Sequence, residues 1–317
     1  MFLRVLVSTK GMSRDQWLSW RKNGIGGSEV AALVGMHPYL SPFAVYMDKV
    51  GEFEPQEDTE TMRIGRDLEE YVAQRFTEKT GIRVRNNAHI LMDDECDYMI
   101  ADIDRWSKKD QIGLECKTMS PNSKAVRGLE DDSVPPQYYI QCQWYMMITG
   151  LKKWHLAILV LGKAFYTFEI DRNDEDISVL RQAAKDFWLG NVLPRKMPPP
   201  DGTESAQNAI SGLIKGVDNE ATVRLYTSVD AIKRLQEIKE QTDDLKKESD
   251  AIKQKLILEL GSCGSGWNDG YEVSAKEQVR RTFDAKRFKT DHPELDLEPY
   301  YKSSVSRPFK YKIYDEK

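Results

Sequence analysis

Apolar residues recur at helical spacing over residues 62–80, where Ile64, Leu68, Tyr71, Val72 and Phe76 form one stripe and Gly81 supplies the stop. The pattern predicts an amphipathic helix. At about 100° per residue, Glu69 shares an edge with Gly65, Val72 and Phe76, whereas Glu70 points with Arg66, Ala73 and Thr77 toward water. Glu69 therefore borders the buried face, beside space that Gly65 leaves for a ligand, although a surface glutamate would read the same way. Upstream, Ser13 and Gln16 form a capping box for a helix over 14–22 that ends at Gly24. Ser28 reads as the N-cap of a helix beginning at Glu29, and the glycines before it allow close approach of the backbone to a ligand.

The period changes at D-Y-M-I-A-D-I-D-R-W, S-K-K-D-Q and I-G-L-E-C-K-T, which read as two strands joined by a polar turn. Alternation places Asp102 with Asp104 on one face of the first strand, and Glu115 with Lys117 on one face of the second. Leu114, Cys116 and Thr118 face the other way. The run P-P-Q-Y-Y-I-Q-C-Q-W-Y opens with prolines suited to a first helical turn, and Gln137, Gln141, Tyr145 and Ile148 lie along one side of that helix. Residues 154–170 then read as a strand pair.

The P-R-K-M-P-P-P-D-G run at 194–202 divides the chain into residues 1–195 and 196–317. Beyond it, Ile238, Leu245, Ile252, Leu256 and Leu260 mark a long amphipathic helix that Gly261 ends. C-G-S-G-W-N-D-G reads as a turn region, with short strands at Y-E-V-S-A and at Y-K-S-S-V-S-R-P-F-K-Y-K-I. No internal repeat is visible.

With 317 residues, 40% hydrophobic and seven Trp among its aromatics, the chain has the material for a full core, which excludes a disordered or collagenous protein. No apolar run reaches membrane-spanning length and the N-terminal stretch lacks a signal-peptide pattern, so a cytoplasmic protein with no membrane partner is expected. A net charge of -5 gives no bulk attraction to nucleic acid, so any DNA contact must come from a local basic groove. Cys96, Cys116, Cys142 and Cys263 are scattered, as are the four histidines, and neither set forms a zinc or disulfide pattern. Metal chemistry would have to rest on oxygen ligands.

The paired strands offer such a set. An Asp and a Glu converging beside a Lys suit Mg²⁺ or Mn²⁺, which prefer carboxylate oxygens, although a salt-bridged hairpin has the same sequence. Hydrolysis of a phosphodiester needs a cation on a non-bridging oxygen and a positive group near the developing charge. Asp104 and Glu115 would hold the metal, and Lys117 would orient or deprotonate the water or stabilise the transition state. Gln141 could touch the water, the substrate or a backbone group. Free N–H groups at the helix start near Ser28, with Arg21 close by, could hold a phosphate, and an ordinary helix corner reads the same way.

In this order, W-x-x-W-R-K-N-G-I-G-G-S-E-V-A-A-L-V-G, G-R-D-L-E-E, A-D-I-D-R, G-L-E-C-K-T and P-x-Q-Y-Y-I-Q-C-Q-W-Y resemble the YqaJ-type phage recombination exonucleases, relatives of the bacteriophage lambda exonuclease. The resemblance spans roughly residues 14–190. It implies the α/β PD-(D/E)XK nuclease fold, a mixed central sheet flanked by helices, followed here by a helical and short-strand extension. It makes Asp104, Glu115 and the main-chain carbonyl of Cys116 metal ligands, with Glu69 a further candidate, and makes Lys117 and Gln141 catalytic. Arg21 and Ser28 match a pocket for the 5′-phosphate of the degraded strand. The chain departs from the family where Ile103 and Arg105 stand in place of the usual proline and glycine around the metal Asp.

The implied activity is Mg²⁺-dependent 5′→3′ degradation of one strand from double-stranded DNA ends, with Mn²⁺ able to substitute and two ions bound. The 3′ tail so produced would feed a single-strand annealing protein. Some family members form trimeric rings, and a phage or prophage protein acting in the bacterial cytoplasm is the matching context. Residues 201–317 fall outside the resemblance, and their basic tract of Lys276, Arg280, Arg281, Lys286, Arg287 and Lys289 suits a phosphate backbone or simply a solvated face. An endonuclease on the same core and a non-catalytic DNA-binding recombination adaptor are the rival readings. The scattered cysteines argue against an iron–sulfur nuclease, and no G-x-x-x-x-G-K-[ST] supports ATP use.

Overall fold

The computed structural model describes residues 3–51, 59–214, 216–226 and 229–302, and they form two compact units, one ending at Asp218 and one beginning at Asn219. In the first unit, β1 (Arg4–Ser8) is followed by α1 (Arg14–Arg21), α2 (Gly27–Leu33), α3 (Pro42–Lys49) and α4 (Glu60–Thr80). Then come β2 (Arg85–Asn86), β3 (His89–Met92), β4 (Ile100–Asp102), β5 (Arg105–Ser107) and β6 (Ile112–Met119). The unit continues with α5 (Ala125–Glu130), α6 (Pro136–Thr149), β7 (Lys153–Val160), β8 (Ala164–Asp171), α7 (Asp174–Phe187) and α8 (Glu204–Leu213).

A five-stranded mixed sheet in the order β2-β5-β6-β7-β8 forms the centre, with β6 and β7 parallel and the other pairs antiparallel. A parallel pair needs a crossover, and α5 and α6 supply it. β1, β3 and β4 form a separate three-stranded antiparallel sheet. This is the mixed sheet flanked by helices that the family resemblance implies.

The core explains why the site lies where it does. On one face of the sheet, Val72, Ala73 and Phe76 of α4 pack on Ile112, Leu114, Cys116 and Ala157. On the other face lies α6, where every residue from Ile140 to Thr149 is buried. A helix buried all round must be enclosed, and α2, α7 and β7 enclose it. β6 therefore runs through the middle of the molecule, with alternate side chains sent to two different helical layers.

Several expectations change. The buried face of α4 is rotated from the expected stripe: Ala73, placed toward water by the helical wheel, is buried, and Tyr71, placed inward, is 45% exposed. The break at 194–202 does not end the first unit, because α8 returns to the core with Ala206 and Ala209 and its Ser205 hydroxyl accepts from the Ser41 N–H at 3.1 Å. Asp102 and Asp104 do not share a strand face, since the chain bends at 103–104 and passes from one sheet to the other.

The second unit contains α9 (Val229–Leu260), the hairpin of β9 (Ser265–Asn268) and β10 (Tyr271–Ser274), and α10 (Ala285–Asp291). The long amphipathic helix is present and ends at Gly261, in the left-handed region with φ +58°. The stretch expected to be only a turn region contains β9, because Ser265–Asn268 pairs with Tyr271–Ser274. The strand expected from Tyr301 onward lies almost entirely outside the described residues. Among the described residues no helix is long and apolar enough to cross a membrane.

Candidate active site

The short β5 creates the site. It pairs with β6 only over Ile112–Leu114, so from Glu115 onward that side of β6 has no strand to bond among the described residues. Asp104, at the bend before β5, fills the gap: its Oδ2 accepts the Cys116 N–H at 2.8 Å. In an extended strand a residue's N–H and C=O point to the same side, so the Cys116 carbonyl opens on the side of Asp104.

Glu115 is 1% exposed and projects toward α6. Its Oε1 accepts from Gln141 Nε2 at 2.7 Å and from Lys117 Nζ at 2.5 Å. Its Oε2 is buried with no hydrogen-bond partner among the described residues. A buried orphan oxygen on an acid is costly unless a proton or a cation meets it. The Asp104 carboxyl lies within hydrogen-bonding reach of Glu115.

The titration behaviour follows from this crowding. Burial, together with the neighbouring Glu115 and Glu69 carboxylates, holds the Asp104 carboxyl well above the usual carboxylate range. Burial also raises Glu115, against the pull of Lys117. For Lys117, burial works against the charged form, but Glu115 and Asp104 outweigh it and raise the ammonium above the ordinary lysine range. Lys117 is thus an ammonium at neutral pH, packed 5.2 Å over the Tyr138 ring.

A second constellation lies against the first. The Arg21 guanidinium sits 4.9 Å over the Trp17 ring, and its Nη2 donates to Ser28 Oγ at 2.9 Å. Glu29 is 3.6 Å from Arg21 and 2.7 Å from Lys49 Nζ, and its Oε2 accepts the Gly26 N–H at 2.7 Å. Lys49, with a fully buried side chain, also donates to the Arg21 carbonyl at 2.9 Å. Burial disfavours the Glu29 carboxylate, but Lys49 and Arg21 overcome it and lower its pKa. Trp17 Nε1 in turn donates to Asp102 Oδ2 at 2.6 Å, and burial raises that carboxyl.

The glycines before α2 join the two constellations. A Cβ on Gly27 would meet the Tyr145 ring at 2.7 Å and Gln141 Cγ at 3.1 Å, and one on Gly24 would meet the Tyr98 carbonyl at 2.6 Å. Their bareness serves approach of protein to protein rather than to a ligand, contrary to the expectation. The same geometry corrects Ser28: Gly26 is the N-cap, with Glu29 reaching back to its N–H, and Ser28 lies inside the first turn, bound by Arg21.

The structure thus brings Asp104, Glu115, Lys117, Gln141 and the Cys116 backbone together, and sets Arg21 and Ser28 beside them through Gly27. Glu69 differs. It acts electrostatically on Asp104 and Glu115, but its Oε1 is held by Arg105 Nη1 at 2.5 Å. Gly65, expected to open space beside Glu69, faces Thr118 Oγ1, which a Cβ would meet at 3.4 Å. Among the described residues no three His, Cys, Asp or Glu side chains are gathered closely enough to hold an ion. Sequence reasoning gave no role to Trp17, Glu29, Lys49 or Arg105, and it placed Tyr145 on Gln141's side of the helix without giving it one. Trp17 and Glu29 stood within the quoted motif and Arg105 as a departure from the family's glycine, whereas Lys49 carried no signal.

Comparison with known proteins adds the family. A family model for a YqaJ-like viral recombinase domain matches residues 16–152. Over 295 residues the chain is 30% identical to "Uncharacterized protein YqaJ" of Bacillus subtilis (strain 168), covering 92% of each chain. The chain belongs to the YqaJ family. The YqaJ-like match covers α1 through α6 and so includes Arg21, Ser28, Glu69, Asp104, Glu115, Lys117 and Gln141. Among solved structures, the alkaline exonuclease LHK-Exo from Laribacter hongkongensis is similar at 19% identity and a TM-score of 0.48, over 57% of this chain and 94% of that one. A phage-related exonuclease from Haemophilus somnus 129PT is similar at 13% identity and a TM-score of 0.44, over 54% and 96%.

Proposed function

We propose that this YqaJ-family chain is a Mg²⁺-dependent deoxyribonuclease that degrades one strand of double-stranded DNA from its 5′ end, leaving a 3′ tail for a single-strand annealing protein. The observation that carries the reading is the orphan Oε2 of Glu115, buried beside the Asp104 carboxyl and the outward side of Cys116. Two carboxyls in contact cannot both ionise bare, so they share a proton or bind a cation. The donor set fits Mg²⁺, which takes one or two carboxylates, keeps several waters and accepts phosphate oxygens, with Mn²⁺ able to replace it.

Asp104, Glu115 and the Cys116 carbonyl would hold the ion. Bound there, it would polarise a phosphate oxygen and lower the pKa of the attacking water. The protein's own groups do the rest. Gln141, anchored to Tyr145 Oη at 2.7 Å, fixes the rotamer of Glu115. Lys117, held as an ammonium, stabilises negative charge at the scissile phosphate rather than removing a proton. Arg21 and Ser28 seat the terminal 5′-phosphate, with Glu29, Lys49 and Trp17 fixing the guanidinium. A second ion would need Glu69, which Arg105 engages.

Three substrates incubated with Mg²⁺ test this: linear duplex DNA with 5′-phosphate ends, the same duplex with 5′-hydroxyl ends, and closed circular DNA. Release of mononucleotides from the phosphorylated linear duplex, slower release from the hydroxyl duplex and none from the circle is the expected result. Cleavage of the circle as fast as the linear form rejects the exonuclease, and no Mg²⁺-dependent release rejects the nuclease.

A further inference from the structure

We infer that a groove between the C-terminal half of α4 and the β2 edge of the central sheet binds the phosphate backbone of the DNA strand leading away from the active site, a role that rests on the nuclease reading. The groove has a volume of about 760 Å³ and includes Arg83, Arg85, Asn86 and Gln74 in its lining. β2 is a terminal strand of only two residues, both exposed, and among the described residues no further strand of the sheet covers it.

The charges decide what the groove can take. Two acids also line it, and both are already matched: Glu70 Oε2 accepts from Arg105 Nη2 at 3.0 Å, and Glu78 Oε2 from Arg75 Nη1 at 3.1 Å. The guanidinium groups of Arg83 and Arg85 make no hydrogen bond or ion pair with any described residue. Two arginines therefore face the groove with their forks free. A planar fork of N–H donors matches a phosphate's oxygens in pairs, and Asn86 and Gln74 add neutral donors that read no sequence. For a chain of net charge -5, binding to a polyanion must rest on such local cations.

The groove also joins the site. Arg105, on its wall, follows Asp104 directly, and its Nη1 holds both the Asp104 carbonyl at 2.7 Å and Glu69 Oε1 at 2.5 Å. Arg105 is itself buried and held by Glu69 and Glu70, so it links the groove wall to the site, and the phosphates would meet the free forks of Arg85 and Arg83.

The test uses the full-length chain carrying Asp104→Asn, so that DNA is bound without being degraded, and a blunt 5′-phosphorylated duplex titrated at several NaCl concentrations. Adding Arg83→Ala with Arg85→Ala is expected to flatten the slope of log affinity against log salt by about two, and to weaken low-salt binding by on the order of tenfold. Lysines at both positions should restore most of the slope, which a general structural defect would not allow. An unchanged slope and affinity in the double alanine variant overturns the groove. Digestion by the unmodified chain is measured in parallel: digestion with an unmoved slope removes the groove and leaves the nuclease, whereas a flattened slope without digestion removes the nuclease and keeps the groove as a DNA-binding surface.

Discussion

The two constellations that meet at Gly27 are opposites in electrostatic completeness. Around Arg21, every charge has its partner: Lys49 answers Glu29, Glu29 answers Arg21, and the Trp17 ring covers the guanidinium face. Around Asp104, the acids crowd one another, one carboxylate oxygen lacks any donor, and both carboxyl pKa values are raised. A satisfied network holds a shape with nothing bound. An unsatisfied one is destabilising until a proton or cation arrives, and such strain concentrates where chemistry is done.

The sharpest way to break this contrast is to neutralise the unsatisfied half. Asp104→Asn or Glu115→Gln is expected to lower nucleotide release from linear duplex DNA by at least about a thousandfold, over about 4 kcal/mol, while thermal melting of the metal-free chain stays level or rises. A variant that releases nucleotides like the unmodified chain sinks the assignment. The satisfied half should fail in the other way. Lys49→Met leaves Glu29 buried without its closest cation and should destabilise the fold by about 3 kcal/mol in denaturant titration, whereas the double change with Glu29→Gln should recover much of that loss. No loss in the single variant would mean that the network carries no stability.

Arg21→Ala tests the satisfied half as a phosphate seat. Preference for 5′-phosphorylated over 5′-hydroxyl ends should drop by roughly tenfold, about 1.4 kcal/mol, and undiminished discrimination would move the seat elsewhere. The smallest effect is on pH. Asp104 and Glu115 have folded pKa values above the ordinary range of roughly 4, so the folded metal-free chain binds more protons than the unfolded one. Its stability therefore falls as pH rises from that range through the folded values. Thermal melts from about pH 5 to about pH 9 should show Mg²⁺ stabilisation growing with pH, and Asp104→Asn should shrink that growth.

The sequence made part of this legible. The E-x-K spacing alone puts Glu115 and Lys117 on one face of a strand, and Gln141, also singled out in the sequence, reaches Glu115 from the helix above. The bend at 103–104 was not legible, since alternation assumes an unbroken strand and here two sheets share one run of chain. Nor was Lys49, twenty positions beyond Glu29, whose partnership exists only because α2 and α3 pack together. Ala73 and Tyr71 exchanged their expected places because α4 packs on the sheet through Val72, Ala73 and Phe76, a face chosen by tertiary contact that a helical wheel alone does not fix.

The seam at Gly27 bears on how this family can vary. With an aromatic ring and a glutamine stem resting against its bare α-carbon, that position has no room for even a methyl group unless one helix retreats. In a library of single substitutions scored for DNA degradation, position 27 should stand out as intolerant of alanine, while exposed Ser19 in the preceding helix α1 should accept most replacements.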